Sequence, residues 1–274
     1  MNHLHRDLAP VSADAWAAIE NEVRRALTTF LTARRLVDFN GPHGYAMSAL
    51  DLGRTAPAHE VPGESVSVAV RESQPLVELR RPFEIAWEEL DAVDRGATSI
   101  DLAPAVAAAR SIALVEDGLV FHGMDAAAIH GISSESVHAP VAVGGNASAV
   151  PPAVARALST LQRAGVEGPY AVAMGTPCYT RVVEGTDDGY PVLKHLRLVL
   201  DGGLPIHAPA LDGAVVVSLR GGDFELVVGE DLALGYAGRN ETGVTFFIEE
   251  TMLFRVNGPE AAVVLDVDPP GAGS

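Results

Sequence analysis

Nine histidines stand in the 274-residue chain, and imidazole is the side chain best suited both to ligate a metal and to carry a proton near neutral pH. Their spacing gives neither a His-x-x-x-His pair for one helix face nor a His-Glu-x-x-His run, so no metal site is expected. His130, Ser133, Ser134 and His138 lie close together. No Gly-x-Ser-x-Gly turn surrounds either serine, and nucleophile and base usually meet through folding, not adjacency. A polar loop is the plainer reading. The one cysteine, Cys178, follows Thr176-Pro177, where a helix N-terminus could lower its pKa and make it a nucleophile. More often such a cysteine is a small core residue. Gly144-Gly145-Asn146 and Gly221-Gly222-Asp223 lack the phosphate-cradling pattern and read as turns. Glu88, Glu89, Asp91 and Asp94 could hold a cation or serve as acid and base, but in a chain with 36 Asp and Glu residues a solvated face is the default. Motifs alone name no catalytic residue, no metal ligand and no cofactor.

Charge and composition narrow the partners. With 19 Lys and Arg against 36 Asp and Glu the formal charge is −17, a field that repels nucleic-acid phosphates and anionic membrane surfaces. Neither is expected as a partner. Hydrophobic residues make up 48% of the chain, and a mean hydropathy of +0.19 leaves more apolar surface than one subunit readily hides. A single cysteine rules out an intrachain disulfide and suits a reducing compartment. The opening residues MNHLHRDLAP have no continuous apolar run or small-residue cleavage site, so the expected location is the cytoplasm.

The elements follow from periodicity. From Ser12 to about Leu36, Trp16, Ile19, Val23, Leu27, Phe30 and Leu31 recur at steps of three and four, predicting an amphipathic helix capped by Ser12. A Gly-, Pro- and Ala-rich stretch from Met47 to Gly63 feeds an alternating valine run, Val66 to Val70. A second alternating run, Val77 to Trp87, contains Pro82 and so predicts an edge strand or a break. These two runs read as a projecting arm whose partner lies elsewhere. Asp101 can cap a long helix to about His122, apolar enough to be buried on most sides, with Gly123 as its stop. Residues 129 to 146 read as a loop with short strands. A helix follows Pro151-Pro152, a strand covers Pro169 to Met174, and two short helices flank Asp187-Asp188-Gly189. The strands Ala214 to Leu219 and Phe224 to Val228 flank Gly221-Gly222-Asp223 as a hairpin. Val244 to Val256 and Ala261 to Val267 read as β, and the final PPGAGS as a loose tail. An extended arm, an apolar helix, excess hydrophobicity and no catalytic site suit a self-assembling structural protein.

The residues themselves bear a resemblance. His-Arg-Asp-Leu-Ala-Pro at 5 to 10, Trp16, Ile19-Glu20-Asn21, Ala-Arg-Arg-Leu-Val-Asp at 33 to 38 and Gly-Pro-His-Gly-Tyr at 41 to 45 resemble the N-terminal part of family-one encapsulin shell proteins. Pro75 to Arg80, Gly165 to Tyr170, Ser218 to Phe224, Gly229 to Leu232 and Glu249-Glu250-Thr251 continue the match. The resemblance implies an α+β fold like that of tailed-phage major capsid proteins. Its implied parts are an N-terminal helix on the inner wall (1–46), an extended loop (47–82), a peripheral domain with a spine helix (83–133), an axial domain (134–211), a peripheral return (212–267) and a flexible tail (268–274). It implies an icosahedral homo-oligomer of roughly sixty protomers or a multiple, forming a nanocompartment in the cytoplasm. It also implies a cargo enzyme held by its C-terminal targeting peptide, with a dye-decolourising peroxidase the first expectation and a ferritin-like iron protein the second. The corresponding cargo-binding positions are Leu27, Phe30, Leu31, Arg34 and Asp38, with Leu232, Ala233, Leu234 and Tyr236 opposite; packing onto their own subunit is the alternative role. Thr186, Asp187, Asp188, Gly189 and Tyr190 correspond to the five-fold pore lining. This loop has no histidine, so a histidine gate is not carried over, and neither is flavin, because Trp87 is offset by one residue. A phage or prophage capsid protein and a stand-alone hydrolase stay open as alternatives.

Overall fold

The computed structural model describes residues 3–267; the tail expected at 268–274 lies outside them. Ser12 accepts the Ala15 N–H at 3.2 Å and starts α1, Ala13–Phe30. The helix does not run on to Leu36. Leu31 turns extended, and the Thr32 and Ala33 N–H groups donate to the Asp117 carboxylate at 2.9 and 3.0 Å, which replaces the helical partners those groups would otherwise need. Strand β1, Asp38–Asn40, follows.

An arm comes next, built of β2 (Ala49–Thr55), β3 (His59–Glu60), β4 (Ser67–Val68) and β5 (Arg71–Pro75), with β2 paired to β5 and β3 to β4. The valine run expected as one strand contributes only the two residues of β4. Val66, Val68 and Val70 are 55%, 55% and 68% exposed, because no second layer of the same chain covers them. The run Val77 to Trp87, expected as part of the arm, is not in it: strand β6 (Val77–Ala86) joins a five-stranded sheet, because Phe83 and Ile85 are buried in the core, and leads into α2 (Trp87–Asp94). Among the described residues β6 pairs on one side only, which is where Pro82, lacking an N–H, can be tolerated.

Asp101 accepts the Ala103 N–H at 2.9 Å at the start of α3, Ala103–His122. Gly123, at φ 77°, ends it. After β7 (Gly123–Met124) and β8 (Ile129–His130), a short helix that the sequence did not suggest, α4 (Ile132–Glu135), precedes β9 (Val141–Val143). Then come α5 (Val150–Arg163), β10 (Tyr170–Met174), α6 (Thr176–Glu184), β11 (Thr186–Asp187), β12 (Tyr190–Pro191), α7 (Val192–Val199) and β13 (Leu204–His207). The chain closes with β14 (Ala214–Ser218), β15 (Phe224–Val228), β16 (Ala233–Arg239), β17 (Gly243–Val256) and β18 (Ala262–Val267).

Two five-stranded sheets organise these strands. One has the order β1-β15-β17-β16 with β6 along β17; the other runs β13-β10-β14-β18-β9. The hairpin expected across Gly221-Gly222-Asp223 is therefore wrong. Both edges of β14 are taken by β10 and β18, so β15 pairs instead with β1 and β17. The two glycines, each at φ 83°, carry the chain from one sheet to the other. Residues 212–267 are thus shared between the sheets, since β14 and β18 join the same sheet as β10.

Helix α3 connects the two cores. Its first half packs Ala105, Ala108, Ala109, Ile112 and Ala113 against Ile19 and Val23 of α1 and Phe246 and Ile248 of β17. Its end places Leu119, Val120 and Phe121 in a second core with α5, β10 and β14. The small alanines allow α1 to approach closely. The helix is less enclosed than its composition predicts: Ala107, Arg110 and Val115 face outward.

Candidate functional site

Along one side of α1, Val23, Arg24, Leu27, Thr28 and Leu31 recur at helical spacing and form a strip. Facing it are Asp231, Leu232, Ala233 and Leu234, at the entry to β16, with Ile248 and Leu4 also lining the space between. The result is a groove of about 420 Å³. Leu27 and Leu234 are buried in its floor, Leu31 and Leu232 are half-buried along its sides, and Arg24 and Thr28 are exposed at the rim. Thr251 fixes the far wall, its Oγ1 accepting the Glu230 N–H at 2.8 Å while its own N–H donates to the Glu230 carbonyl at 3.0 Å.

Arg34 closes one end of the groove, and its guanidinium is already engaged. Nε and Nη2 donate to the two oxygens of Glu116 at 2.7 and 2.8 Å, Nη2 also to Glu250 at 2.7 Å, and Nη1 to Asp231 at 2.9 Å. Glu116 and Glu250 are 0% exposed. Asp231 Oδ1 also accepts the Leu232 N–H at 2.8 Å, so Arg34 pins the groove wall through Asp231. Burial opposes the charge on Arg34, yet the hydrogen bond and charge of Glu116, with Glu250 and Asp231, raise its pKa above the ordinary arginine value. Burial, followed by the field of Glu116, pushes the Glu250 carboxyl well above the usual carboxylate range, with Arg34 pulling the other way. Next to it, burial lifts Asp117 to about 6 although the Thr32 hydroxyl and the Thr32 and Ala33 N–H groups all donate to it. One arginine thus serves three carboxylates, and burial favours the protonated form of Glu250 and of neighbouring Asp117. The expectation of a helix buried on most sides did not single out this cluster; the adjacent acids Glu116 and Asp117 in an otherwise apolar helix were the available signal.

Six of the nine positions expected at a docking site, Leu27, Leu31, Arg34, Leu232, Ala233 and Leu234, line this one groove. The other three lie apart from it. Phe30 points to the other side of α1, into a wider groove of about 1090 Å³ shared with Ile100, Leu102 and Val106, its ring 5.3 Å from the Arg110 guanidinium carbon. Asp38 accepts the Gly222 N–H at 2.6 Å and so braces the crossing between sheets. Tyr236 packs half-buried on the α1 core, its N–H donating to the Leu4 carbonyl at 2.8 Å.

Thr186, Asp187, Asp188, Gly189 and Tyr190 form a tight exposed hairpin, β11 pairing with β12. Asp188 and Gly189 have φ of 48° and 81°, the two positive values of the turn that best matches strand twist. Cys178 is buried, and desolvation raises its pKa, against the weaker pull of Arg181, which leaves it a core residue. Ser134 Oγ is engaged with the Gly131 backbone at both its N–H and carbonyl, and His130 pairs with Glu135 at 3.2 Å. Among the described residues no group of three His, Cys, Asp or Glu is placed to hold a metal ion, and no helix is long and apolar enough to cross a membrane.

Residues 1–253 match the Linocin_M18 family, described as encapsulating protein for peroxidase. A type 1 encapsulin shell protein of Rhodospirillum rubrum is 46% identical over 271 residues, covering 97% of this chain and 96% of that protein. One from Mycobacterium tuberculosis is 42% identical over 265 residues, covering 97% and 99%. The chain belongs to the type 1 encapsulin shell protein family. Its fold recurs in solved capsids. The virus-like particle of Pyrococcus furiosus superposes with a TM-score of 0.60 at 17% identity, covering 90% of this chain and 98% of that one. The capsid of an empty GTA particle gives 0.55 at 15%, covering 87% and 90%. At those identities the likeness concerns the fold alone, and it is the α+β capsid fold that the sequence resemblance implied. Within the encapsulin family the chain's role is that of a shell component.

Proposed function

We propose that this encapsulin shell protein closes into an icosahedral compartment of roughly sixty protomers or a multiple in the cytoplasm, and docks a cargo enzyme by a C-terminal peptide lying in the groove between α1 and residues 231–234. The observation that carries the docking site is the convergence of Leu27 and Leu31 with Leu232 and Leu234, some two hundred residues later in sequence, around one open apolar cavity. A strip of half-buried leucines with a polar rim is what a peptide presenting two or three aliphatic anchors requires. Arg34 serves as the pillar of the wall and not as a free contact. The first cargo class is a peroxidase, in line with the description of the matching family, and a ferritin-like iron protein is the second. The sheet containing β10, with α5 to α7, is proposed as the axial domain, the remainder as the peripheral domain, and the β2 to β5 arm as the extended loop. The hairpin from Thr186 to Tyr190 then lines a pore whose Asp187 and Asp188 favour cations. The shell itself performs no catalysis.

The test uses shells purified from the cells that make them. Leu31→Ser with Leu232→Ser should leave assembly intact and remove the enzyme that co-purifies at fixed stoichiometry, as should deleting the last residues of that enzyme. Undiminished loading in the double variant refutes the docking site.

A further inference from the structure

The groove is completed by residues from the start of the chain. The Leu4 side chain is 7% exposed and lines the groove with Leu234 and Ile248, and its carbonyl accepts the Tyr236 N–H at 2.8 Å. His5, at φ 51°, a conformation that residues other than glycine rarely adopt, reverses the chain. Arg6 then pairs with Glu20 and lies 4.4 Å over the Trp16 ring. Residues 3–8 are therefore a strap, crossing from the entry of β16 to the outer face of α1.

The strap is held at its first described residue by an arrangement of charge. The His3 ring stacks on Tyr45 at 3.7 Å. Its Nε2 stands 3.3 Å from Glu230 Oε1 and 3.8 Å from Glu249 Oε1. Neither His3 Nε2 nor Glu249 Oε1, both buried, makes a hydrogen bond among the described residues, so the His3 ring is held there by these ion-pair distances and by Tyr45. The other charged groups there belong to β6: Arg80 lies 3.2 Å from the second oxygen of Glu249, and Glu78 adds a further negative charge near it. Among the described residues one arginine faces Glu230, Glu249 and Glu78, and the His3 ring is the other group placed to pair with these carboxylates. Burial and then Glu78 raise the Glu249 carboxyl, with Arg80 and His3 opposing, as fits an under-neutralised site.

We propose that residues 3–8 form a detachable wall of the groove, latched by His3 between Glu230 and Glu249, so that loss of the latch opens the groove on the Leu4 side. The assignment of the groove to peptide docking rests on the function proposed above; the latch itself does not. An ion pair between side chains that keep some solvent contact shifts such an equilibrium by about two- to fivefold.

Hydrogen–deuterium exchange of assembled, cargo-free shells reads the latch directly. Protection of the peptide containing Tyr236 should be about two- to fivefold lower in His3→Gln than in the natural chain at the same pH. Glu230→Gln should lower it in the same direction, while Leu31→Ser with Leu232→Ser, which leaves the His3 contacts in place, should not. Protection in His3→Gln equal to that of the natural chain overturns the latch. The docking assignment is judged separately by loading of the Leu31→Ser, Leu232→Ser shell, so either claim can fail alone.

Discussion

Replacing Arg34 by Gln removes the cation from a site that holds two fully buried carboxylates. Four hydrogen bonds go, two to Glu116 and one each to Glu250 and Asp231. The bond to Asp231, whose side chain is 44% exposed, counts for little, because solvent screens it. Glu116 and Glu250 have no such relief, and stripping one partner from a buried ion pair destabilises by about 3–5 kcal/mol. For a chain of this size each kcal/mol lowers the melting temperature by about 2–4 °C, so the expected fall at pH 7.5 is about 6–20 °C, read by circular dichroism. Arg34→Lys should fall between, since a single ammonium cannot reproduce the planar fork that reaches Glu116 with both Nε and Nη2. The deficit of Arg34→Gln should narrow as pH falls, since burial already holds the Glu250 carboxyl well above the usual range and its protonation removes one buried charge. Loading should also suffer in Arg34→Gln, through the unpinned Asp231–Leu232 wall. A melting temperature within about 2 °C of the natural chain would refute the reasoning.

Asp117 is lifted from 3.8 to about 6 by burial, so between those values the folded state binds more protons than the unfolded one, and stability falls as pH rises through that window. Melts between pH 4 and 7 should show that slope, made shallower in Asp117→Asn; that variant is also less stable by about 1–3 kcal/mol, because an amide nitrogen cannot accept from Thr32 or Ala33. An unchanged slope would remove Asp117 as its source. Cys178 should resist alkylation in native shells at pH 7.5 and react on unfolding, and mass spectrometry showing native labelling would contradict its buried placement. Asp187→Asn with Asp188→Asn should slow cation entry to an indicator trapped in the shell without affecting assembly, since Asn tolerates the positive φ of residue 188; unchanged rates would show that this hairpin lines no pore. Deleting residues 1–37 should abolish folding as well as loading, because Ile19, Val23 and Ala33 are core residues; normal shells from that deletion would contradict the core assignment.

Much of the fold is legible as local pattern. The α1 strip, the start of α3 at Asp101 and its end at Gly123, and the edge position of Pro82 all rest on near neighbours in sequence. What the sequence hides is non-local. The end of α1 is set by the Asp117 carboxylate more than eighty residues away, so the continuing periodicity through Leu31 overshoots. Gly221-Gly222-Asp223 carries every local mark of a hairpin, and only the saturation of β14 by β10 and β18 sends β15 elsewhere. Two adjacent acids in an apolar helix hint that Glu116 is buried, but its partners Arg34 and Glu250 are identified only by the fold. The docking residues were reached through family likeness, and the structure separates those sharing the groove from Phe30, Asp38 and Tyr236.

The central claim is assembly. Negative-stain electron microscopy of the purified protein, beside its size-exclusion profile, tests it most directly. The account predicts uniform closed shells of roughly sixty protomers or a multiple, eluting far ahead of a 28.6 kDa chain. A stable monomer or small oligomer would contradict it.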